Sequence, residues 1–359
     1  MAMKSLAIEE ITLTNFKNYT ESKFSVGPRF NLISGLNGIG KTNLLDAIYY
    51  LSVGRSYFTP FDHRIVRKEE AFFRLEGHLS RGEKKHKIVF KVKPGSSKEL
   101  EVDEIPVSRI SEHLSFIPVV FSAPRDIDLI YGASVTRRKY FDHLLCQIDQ
   151  QYMKALVRYN HVLDMRNAAL KQGFADLRRV ISTYDDQLAP LAAFIHDKRQ
   201  WAVRTLSDRL LDTYRTLSDQ REDITLNYSS DLFEYPYEVL VDMNWQTDKH
   251  TGRSNSGIHK DDYKLEIKDM SAKGYGSQGQ VKSLVFALHL SKYGILAQQS
   301  GFKPLLILDD IFDKLDERRL ERLMEILSAE EFGQVFISDT SGKRVSEILP
   351  AEQLERISM

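Results

Sequence analysis

The sequence contains a single cysteine, Cys146, among its 359 residues. One cysteine excludes an intramolecular disulfide and is typical of a protein from a reducing compartment. No apolar run approaches the length of about 18 residues that a membrane-spanning helix needs. The N-terminal Met-Ala-Met-Lys-Ser also lacks the apolar segment of a signal peptide. These absences predict a cytoplasmic protein without membrane association.

A net charge is absent as well, because 50 Lys and Arg residues balance 50 Asp and Glu residues. The balance neither favours nor excludes a nucleic-acid partner, so that any DNA-binding surface has to be a local patch. The hydrophobic content of 42% and the charged content of 28% are typical of a soluble globular protein. The length allows two or three domain-sized units.

A strand, a glycine-rich loop and a helix are predicted in succession over residues 30–51. The loop fits the pattern G-x-x-x-x-G-K-[ST] of phosphate-binding P-loops, which by chance would occur in such a chain roughly once in a hundred. Glycines allow backbone N–H groups to surround an anion, and the helix N-terminus adds partial positive charge. The predicted nucleotide-binding residues here are Gly35, Leu36, Asn37, Gly38, Ile39, Gly40, Lys41, Thr42 and Asn43.

Within this loop, Lys41 is predicted to reach the β- and γ-phosphates, and the Thr42 hydroxyl is predicted to hold Mg²⁺. A second motif supplies the carboxylates. The apolar run 304–308 predicts a buried strand that ends in Asp309 and Asp310, the pattern of a Walker B motif. We expect Asp309 to bind Mg²⁺ and Asp310 to polarise the attacking water as a general base. The alternative is a strand followed by two ordinary surface acids.

Lys41 and Asp309 are 268 residues apart (309 − 41), which indicates an insertion between the two motifs. Residues 134–172 contain no Gly or Pro and carry apolar residues at helical spacing. One continuous helix would be roughly 58 Å long there. A second helix is predicted over about 175–217, after a turn at Gly173 and with a kink at Pro190. The alternative is a packed helical subdomain.

These patterns predict an α/β fold, a P-loop ATPase head with antiparallel edge strands and an inserted α-helical arm. The predicted domains are 1–133, the N-terminal half of the head; 134–218, the arm; and 219–359, the C-terminal half. Further strands are predicted at 6–16, 24–30 (with a turn), 72–79, 87–92, 100–102, 117–121, 224–228, 265–267 and 335–337. Further helices are predicted at 277–299 and 316–328, and a loop or a loop-to-strand transition at 249–262.

A third motif, Ser277-Gln278-Gly279-Gln280, opens the helix that precedes the Walker B strand. A Ser and a Gly at a helix N-terminus can bind an anion, although such caps are common. The order P-loop, Ser-x-Gly-Gln helix, Walker B is that of ABC-type ATPases. In these enzymes the signature residues, here Ser277, Gly279 and Gln280, face the γ-phosphate held by a second subunit.

The motif order and four further stretches resemble the RecF family of bacterial recombination-mediator ATPases, which is related to the SMC proteins. The resemblance covers essentially the whole chain. Three positions depart from the family pattern: Ser134 replaces Pro, Lys260 replaces Arg and Tyr263 replaces an aliphatic residue. No Q-loop glutamine is evident near Ser122, and Thr340 stands where transporters have a histidine. The stretches that carry the resemblance are residues 13–19, 54–56, 124–142 and 257–262.

The resemblance implies an ATP-dependent clamp on double-stranded and gapped DNA, with ATP and Mg²⁺ as cofactors. Such proteins form a homodimer with ATP sandwiched between two subunits, and their slow, DNA-stimulated hydrolysis releases the dimer. It also implies joint action with RecR and RecO in loading RecA during DNA replication, recombinational gap repair and the SOS response.

Local clusters of basic residues are the candidate DNA-binding surface, since a duplex-binding face needs several cations at phosphate spacing. For any one cluster the alternative is solvated surface charge, and Arg137 and Arg138 could instead be structural. The candidates in these clusters are Arg64, Lys84, Lys85, Arg137 and Arg138.

Other classes of P-loop protein remain open at this point. A transporter-type ABC subunit would have a second Gly at position 278 and a Q-loop. A P-loop kinase would lack the Ser-x-Gly-Gln helix, and an SMC-like nuclease subunit would need more than the 49 residues (359 − 310) that follow Asp310.

Overall fold

A computed structural model describes residues 3–172, 176–218, 222–310, 317–330, 332–340 and 342–359. Its strands are β1 Leu6–Phe16, β2 Tyr19–Ser25, β3 Phe30–Ser34, β4 Phe73–Arg81, β5 Lys84–Lys93, β6 Ser97–Val102, β7 Ile105–Pro106, β8 Val119–Ser122, β9 Ile224–Ser229, β10 Asp262–Ile267, β11 Met270–Ser271, β12 Leu305–Leu308, β13 Val335–Asp339 and β14 Leu354–Ser358.

The helices alternate with these strands along the chain. They are α1 Lys41–Val53, α2 Ile110–His113, α3 Asp128–Tyr131, α4 Ser134–Ile148, α5 Gln150–Gln172, α6 Leu177–Leu217, α7 Tyr237–Met243, α8 Trp245–Thr251, α9 Ala272–Tyr275, α10 Gln278–Ser300, α11 Glu317–Ser328 and α12 Lys343–Ile348.

The chain divides into two compact units. The first comprises residues 1–126, 213–220 and 278–359, and the second comprises 127–212 and 221–277. The predicted boundaries differ from this division. The prediction places residues 221–277 in the C-terminal half of the head, whereas here they belong to the second unit. There a three-stranded antiparallel sheet, β11-β10-β9, accompanies the long helices α4, α5 and most of α6.

A five-stranded parallel sheet with the order β14-β3-β13-β12-β8 forms the centre of the first unit. The strands β12 and β8 are buried at every position, as expected for parallel strands that are covered on both faces. The register pairs Leu308 with Ser122 and with Ile337, and it pairs Ser34 with Asp339. The carboxyl ends of β3, β8, β12 and β13 therefore meet at one edge, directly before the predicted motifs.

A second sheet of the first unit is antiparallel, with the order β2-β1-β4-β5-β6-β7. Along β1 and β4, buried apolar residues such as Ile11, Leu13 and Leu75 alternate with partly exposed polar ones. This alternation is typical of a sheet with one buried and one solvated face, and it confirms the antiparallel edge strands predicted from the sequence.

The predicted continuous helix 134–172 is wrong, because α4 ends at Ile148 and α5 begins at Gln150. Asp149 between them is extended, with φ −139° and ψ 103°. Its carboxylate accepts hydrogen bonds from the backbone N–H groups of Gln151 and Tyr152, at 2.8 and 3.0 Å. Asp149 therefore caps α5, a role that Asp favours over a mid-helix position. The predicted turn at Gly173 lies outside the described residues.

The strand with a turn predicted over residues 24–30 corresponds to the end of β2 at Ser25, a turn, and the start of β3 at Phe30. Gly27, between the two strands, and Asn31, in β3, exchange two hydrogen bonds of 2.7 and 2.9 Å that close this turn. Pro28, which has no N–H to donate to a ladder, reinforces the break. Residues 249–262, predicted as a loop or a loop-to-strand transition, lead into β10 at Asp262, and the end of α8 was not expected there.

Candidate functional site

The P-loop connects the end of β3 to the start of α1, as the sequence predicts. Gly38 and Gly40 adopt φ values of 82° and 126°, in the region that favours glycine. A Cβ at position 40 would also lie 2.6 Å from the Asn18 amide nitrogen. Only glycine fits at position 40, which is the N-cap of α1.

The turn between β1 and β2 supports this loop from its other side. Asn18 Nδ2 donates to the Ile39 carbonyl at 2.9 Å, and Asn43 Nδ2 donates to Asn18 Oδ1 at 2.7 Å. The Tyr19 hydroxyl donates to the Gly40 carbonyl at 3.1 Å. No local pattern in the sequence indicated this supporting role for Asn18 and Tyr19.

Lys41 is the first residue of α1 and is 8% exposed. Its Nζ donates to the carbonyls of Gly35 and Leu36, at 2.6 and 3.1 Å. The ammonium group therefore lies inside the curve of the loop, where the sequence predicts a phosphate. Burial of a cation is costly unless it is paired or hydrogen-bonded, and here two carbonyl oxygens meet that need.

The predicted Walker A and Walker B residues meet at the carboxyl edge of the parallel sheet. The Thr42 hydroxyl donates to the two carboxylate oxygens of Asp309, at 3.0 and 3.1 Å. Ser338, at the end of β13, donates to Asp309 Oδ1 at 2.8 Å. Burial raises the pKa of the Asp309 carboxyl above its ordinary value, although these two hydroxyls act in the opposite direction.

Asp310 follows Asp309 in the left-handed region, with φ 48°. This conformation is uncommon for a residue other than glycine, and Asp is one of the residues that tolerate it. The Asp310 N–H donates to the Ser338 hydroxyl at 2.8 Å. Ser338 thus holds both acidic residues, a role that the sequence did not reveal.

Residues of the P-loop and of the Walker B segment, together with Ser338, line a cleft of about 200 Å³ in the first unit. Leu36 and Ile39 are instead exposed on the outside of the loop, by 81% and 42%. The structure thus brings together two motifs separated by most of the chain. The lining residues are Asn37, Gly38, Gly40, Lys41, Thr42, Asn43, Asp309, Asp310 and Ser338.

The predicted signature residues do not line this cleft. Gly279 and Gln280 lie in the first turn of α10, and Ser277 directly precedes that helix. At Gly279 an added Cβ would fall on the guanidinium group of Arg319. Because a guanidinium group is the movable end of a flexible side chain, this contact does not by itself require glycine at position 279.

The candidate DNA-binding arginines of the second unit are engaged within the protein. Arg137 forms a two-pronged ion pair with Asp262, at 2.7 and 3.0 Å, and its side chain is 13% exposed. Arg138 donates to the Ser134 hydroxyl at 2.8 Å and to the Asp261 carbonyl at 2.6 Å. These contacts favour the structural alternative for both arginines over the phosphate-binding interpretation.

The other three candidates lie at the surface of the first unit. Lys85 is 79% exposed at its side chain and pairs with Glu9 at 3.0 Å. Arg64 is exposed, and its guanidinium carbon lies 5.3 Å from the centre of the Phe61 ring. Lys84 is exposed at the start of β5. Of these cations, Lys85 has its charge offset by a carboxylate, so Lys84 and Arg64 are the stronger candidates.

The buried Asp309 carboxylate leads to a prediction about stability. Folding raises the pKa of this carboxyl, so the folded protein holds the proton more tightly than the unfolded chain does. The free energy of unfolding therefore falls as the pH rises from the ordinary Asp pKa of about 3.9 through the raised pKa, and the lost stability is not regained at neutral pH. Asp309→Asn is therefore expected to raise the melting temperature of the nucleotide-free protein by a few degrees at neutral pH. Differential scanning calorimetry would measure this, with the exposed Glu355→Gln as control; a lower melting temperature would contradict it.

Among residues 3–310, apart from the short undescribed segments, and in the described parts of 317–359, no group of three or more His, Cys, Asp or Glu side chains could hold a metal ion. None of the described helices is long and apolar enough to cross a membrane.

The fold and the site define an ABC-type ATPase head of the kind found in SMC proteins. Residues 7–59 match the family described as RecF/RecN/SMC N terminal domain. The structure is similar to an Smc head domain from Pyrococcus furiosus, with a TM-score of 0.54 at 17% identity over 96% of this chain and 92% of that chain, which shows the fold alone. This similarity confirms the predicted fold class.

More specific relatives narrow the class to one family. The chain is 38% identical to the DNA replication and repair protein RecF of Flavobacterium johnsoniae, over 95% of this chain and 96% of that protein. The RecF of Cytophaga hutchinsonii is also 38% identical, over 94% of this chain and 90% of that protein. The chain belongs to the RecF family of DNA replication and repair proteins, as the sequence motifs predict.

A solved structure agrees with this assignment. The recombination mediator protein RecF with ATP, in the RecFOR pathway, superposes with a TM-score of 0.87 at 30% identity. The similarity covers 95% of this chain and 93% of that one. The transporter-type alternative that the sequence left open finds no support in these relatives.

Proposed function

We propose that this protein is an ATP-dependent clamp on double-stranded and gapped DNA. The observation that carries the proposal is the meeting of Thr42 and Asp309 at 3.0 Å, beside the buried ammonium of Lys41. A P-loop lysine, a hydroxyl and a strand-end carboxylate are the groups that nucleoside triphosphate hydrolysis requires in one place. The solved relative with ATP supports ATP as the nucleotide.

The residues of the cleft fit ATP and Mg²⁺. The backbone N–H groups of 35–43 would surround the phosphates, and Lys41 would donate to the β- and γ-phosphate oxygens. Thr42 and Asp309 offer the hard oxygen ligands that Mg²⁺ prefers, and the bound ion would neutralise phosphate charge. Asp310 would accept a proton from the attacking water. The four hydrogen bonds among Thr42, Asp309, Asp310 and Ser338 would hold the Asp309 carboxylate and the Asp310 backbone in position.

We further propose that ATP is sandwiched between two copies of the chain. Ser277, Gly279 and Gln280 lie outside the cleft of their own protomer, which is compatible with a role against the nucleotide of a second copy. In the cell this clamp would act in the cytoplasm with RecR and RecO to load RecA at gaps, in recombinational repair and in the SOS response. The pathway of the solved relatives supports these partners.

The test is the oligomeric state with defined nucleotides. Size-exclusion chromatography with light scattering should show a dimer with ATP and Mg²⁺ and a monomer with ADP. Gapped duplex DNA should raise the slow rate of ATP hydrolysis. Ser277→Arg should retain nucleotide binding but lose the dimer, because a bulky cation would block the shared site. A wild-type protein that stays monomeric with ATP, Mg²⁺ and duplex DNA would refute the clamp.

Lys84 provides a test of the DNA-binding surface. Because each phosphate contact releases condensed counterions, Lys84→Glu should reduce the slope of log K against log salt by about 1. Fluorescence anisotropy with a gapped duplex, titrated at several salt concentrations, would measure the slope. Lys264→Glu is the control, since Lys264 is exposed on β10 and lies outside the candidate clusters. An unchanged slope for Lys84→Glu would remove this lysine from the DNA-binding surface.

A further inference from the structure

The segment after β9 exposes more large apolar side chains than any other short stretch of the described chain. Four of them lie within the eleven residues 233–243, whereas no window of that length outside this segment holds more than two among the described residues. A soluble protein that exposes several large apolar side chains together usually does so at an interaction site. The exposed fractions are 48% for Phe233, 44% for Tyr235, 40% for Val239 and 63% for Met243.

This segment is fixed in position by its buried side. Tyr237, Leu240 and Val241 anchor α7 in the core of the second unit. The Ser230 hydroxyl accepts the Leu232 N–H at 3.3 Å, and the Phe233 ring centre lies 4.6 Å from that of His196. The exposed apolar groups are therefore presented on a folded surface.

The exposed face of α7 combines apolar and acidic side chains in two adjacent rows. Residues four apart are neighbours on a helix, so Val239 lies next to Met243 and Glu238 next to Asp242. All four side chains are exposed. A partner that covers this face has to satisfy both rows at once, with apolar groups and with positive charge.

The charge of the segment is strongly one-sided. Residues 231–243 contain four carboxylates and no Lys, Arg or His. Arg178 pairs with Asp242, whereas the other three carboxylates form no ion pair with any residue that the structure describes. These three are Asp231, Glu234 and Glu238. In a chain with no net charge, this is a local acidic surface, and it repels the phosphates of DNA.

We propose that the 231–243 face is the docking surface for a partner protein that presents basic and apolar side chains together. The proposal rests on the proposed function, which includes protein partners. Complementary charge would steer the partner and set its orientation. The aromatic and Met side chains would supply the desolvated contacts that dominate interface energies. DNA is excluded as the occupant by the sign of the charge.

The test measures the affinity of the full-length protein for purified RecR and for purified RecO, by biolayer interferometry at two salt concentrations. Glu238→Lys and Met243→Ser are each expected to weaken binding of one of these proteins at least about tenfold. Glu238→Lys should also reduce the salt dependence. The matched controls lie on α5 in the same unit, where Asp164 and Met165 are exposed; Asp164→Lys and Met165→Ser should bind within about twofold of the wild type.

The outcomes separate this inference from the proposed function. If the wild type binds a partner and both face variants bind it equally well, the docking surface is wrong and the proposed function stands. If the wild type binds neither protein, the proposed partnership fails and the docking surface is overturned with it. Nucleotide-independent self-association that Met243→Ser abolishes would identify a second copy as the occupant and overturn the choice of partner. Unchanged ATP-dependent dimerisation of both variants would show that they remain folded.

Discussion

Replacing Lys41 with alanine is expected to weaken ATP binding roughly 100-fold. Two losses combine in this variant. The positive charge predicted to contact the β- and γ-phosphates disappears, and the two bonds from Nζ to the carbonyls of Gly35 and Leu36 disappear with it. Hydrogen bonds to a charged group contribute about 1.5–3 kcal/mol, so that a loss of about 3 kcal/mol would weaken binding roughly 100-fold.

Isothermal titration calorimetry with ATP and Mg²⁺ would measure this loss. Lys139→Ala is the matched control, because this substitution also removes one lysine charge and Lys139 is exposed on α4 in the second unit. The two variants should have similar melting temperatures without nucleotide if the defect lies in phosphate binding. A Kd for Lys41→Ala within about threefold of the wild type would show that the ammonium group does not contact the bound nucleotide.

The P-loop and the Walker B strand were predictable from the sequence because their signals are local. Gly38 and Gly40 require backbone conformations that few other residues adopt, and the run 305–308 is long and apolar enough to predict a buried strand. The glycine positions and the apolar run therefore specified most of the candidate site without any knowledge of tertiary contacts.

The residues that support the site were not predictable in the same way. Ser338 contacts Asp309 across 29 positions of sequence, and Asn18 contacts Asn43 across 25. A lone Ser at the end of a strand or an Asn in a turn is common in any sequence. Their roles follow only from the order of strands in the sheets, which no local pattern specifies.

Misplaced helix boundaries have a different physical origin. The absence of Gly and Pro from 134–172 suggested one helix, but Asp149 breaks it by capping α5. A capping residue is a weaker signal than a proline, because the same Asp is also tolerated on the exposed face of a helix.

The charge of Arg137 was also not predictable as a surface feature, because its ion-pair partner Asp262 is 125 positions away in the sequence. A basic cluster in the sequence therefore did not indicate a basic surface.

Arg199 is the residue whose replacement should destabilise the second unit most. It is 2% exposed on α6 and donates hydrogen bonds to four residues, Asp142, Tyr152, Ile258 and Asp261. Its Nη1 lies 2.8 Å from Asp261 Oδ2 and 2.7 Å from the Ile258 carbonyl, and its Nη2 lies 2.9 Å from Asp142 Oδ1. One guanidinium thus neutralises two carboxylates from different segments of the chain.

Arg199→Met is expected to lower the free energy of unfolding by about 3–5 kcal/mol, because it leaves the carboxylates of Asp142 and Asp261 without their ion-pair partner. Urea denaturation followed by circular dichroism would measure the change. Arg204→Met is the control on the same helix; Arg204 is exposed, and its replacement should change stability by about 0.5 kcal/mol or less. Equal effects of the two substitutions would contradict a role for the buried charge.

The pH dependence of the Arg199→Met variant distinguishes lost charge from lost packing. Burial already raises the pKa of the Asp261 carboxyl, and Arg199 opposes this rise. Without the guanidinium the pKa of Asp261 rises further, so the folded variant takes up a proton more readily than its unfolded chain. Stability then increases as the pH falls through this range. The deficit relative to the wild type should therefore shrink between about pH 8 and about pH 5; a deficit independent of pH would indicate that packing alone was lost.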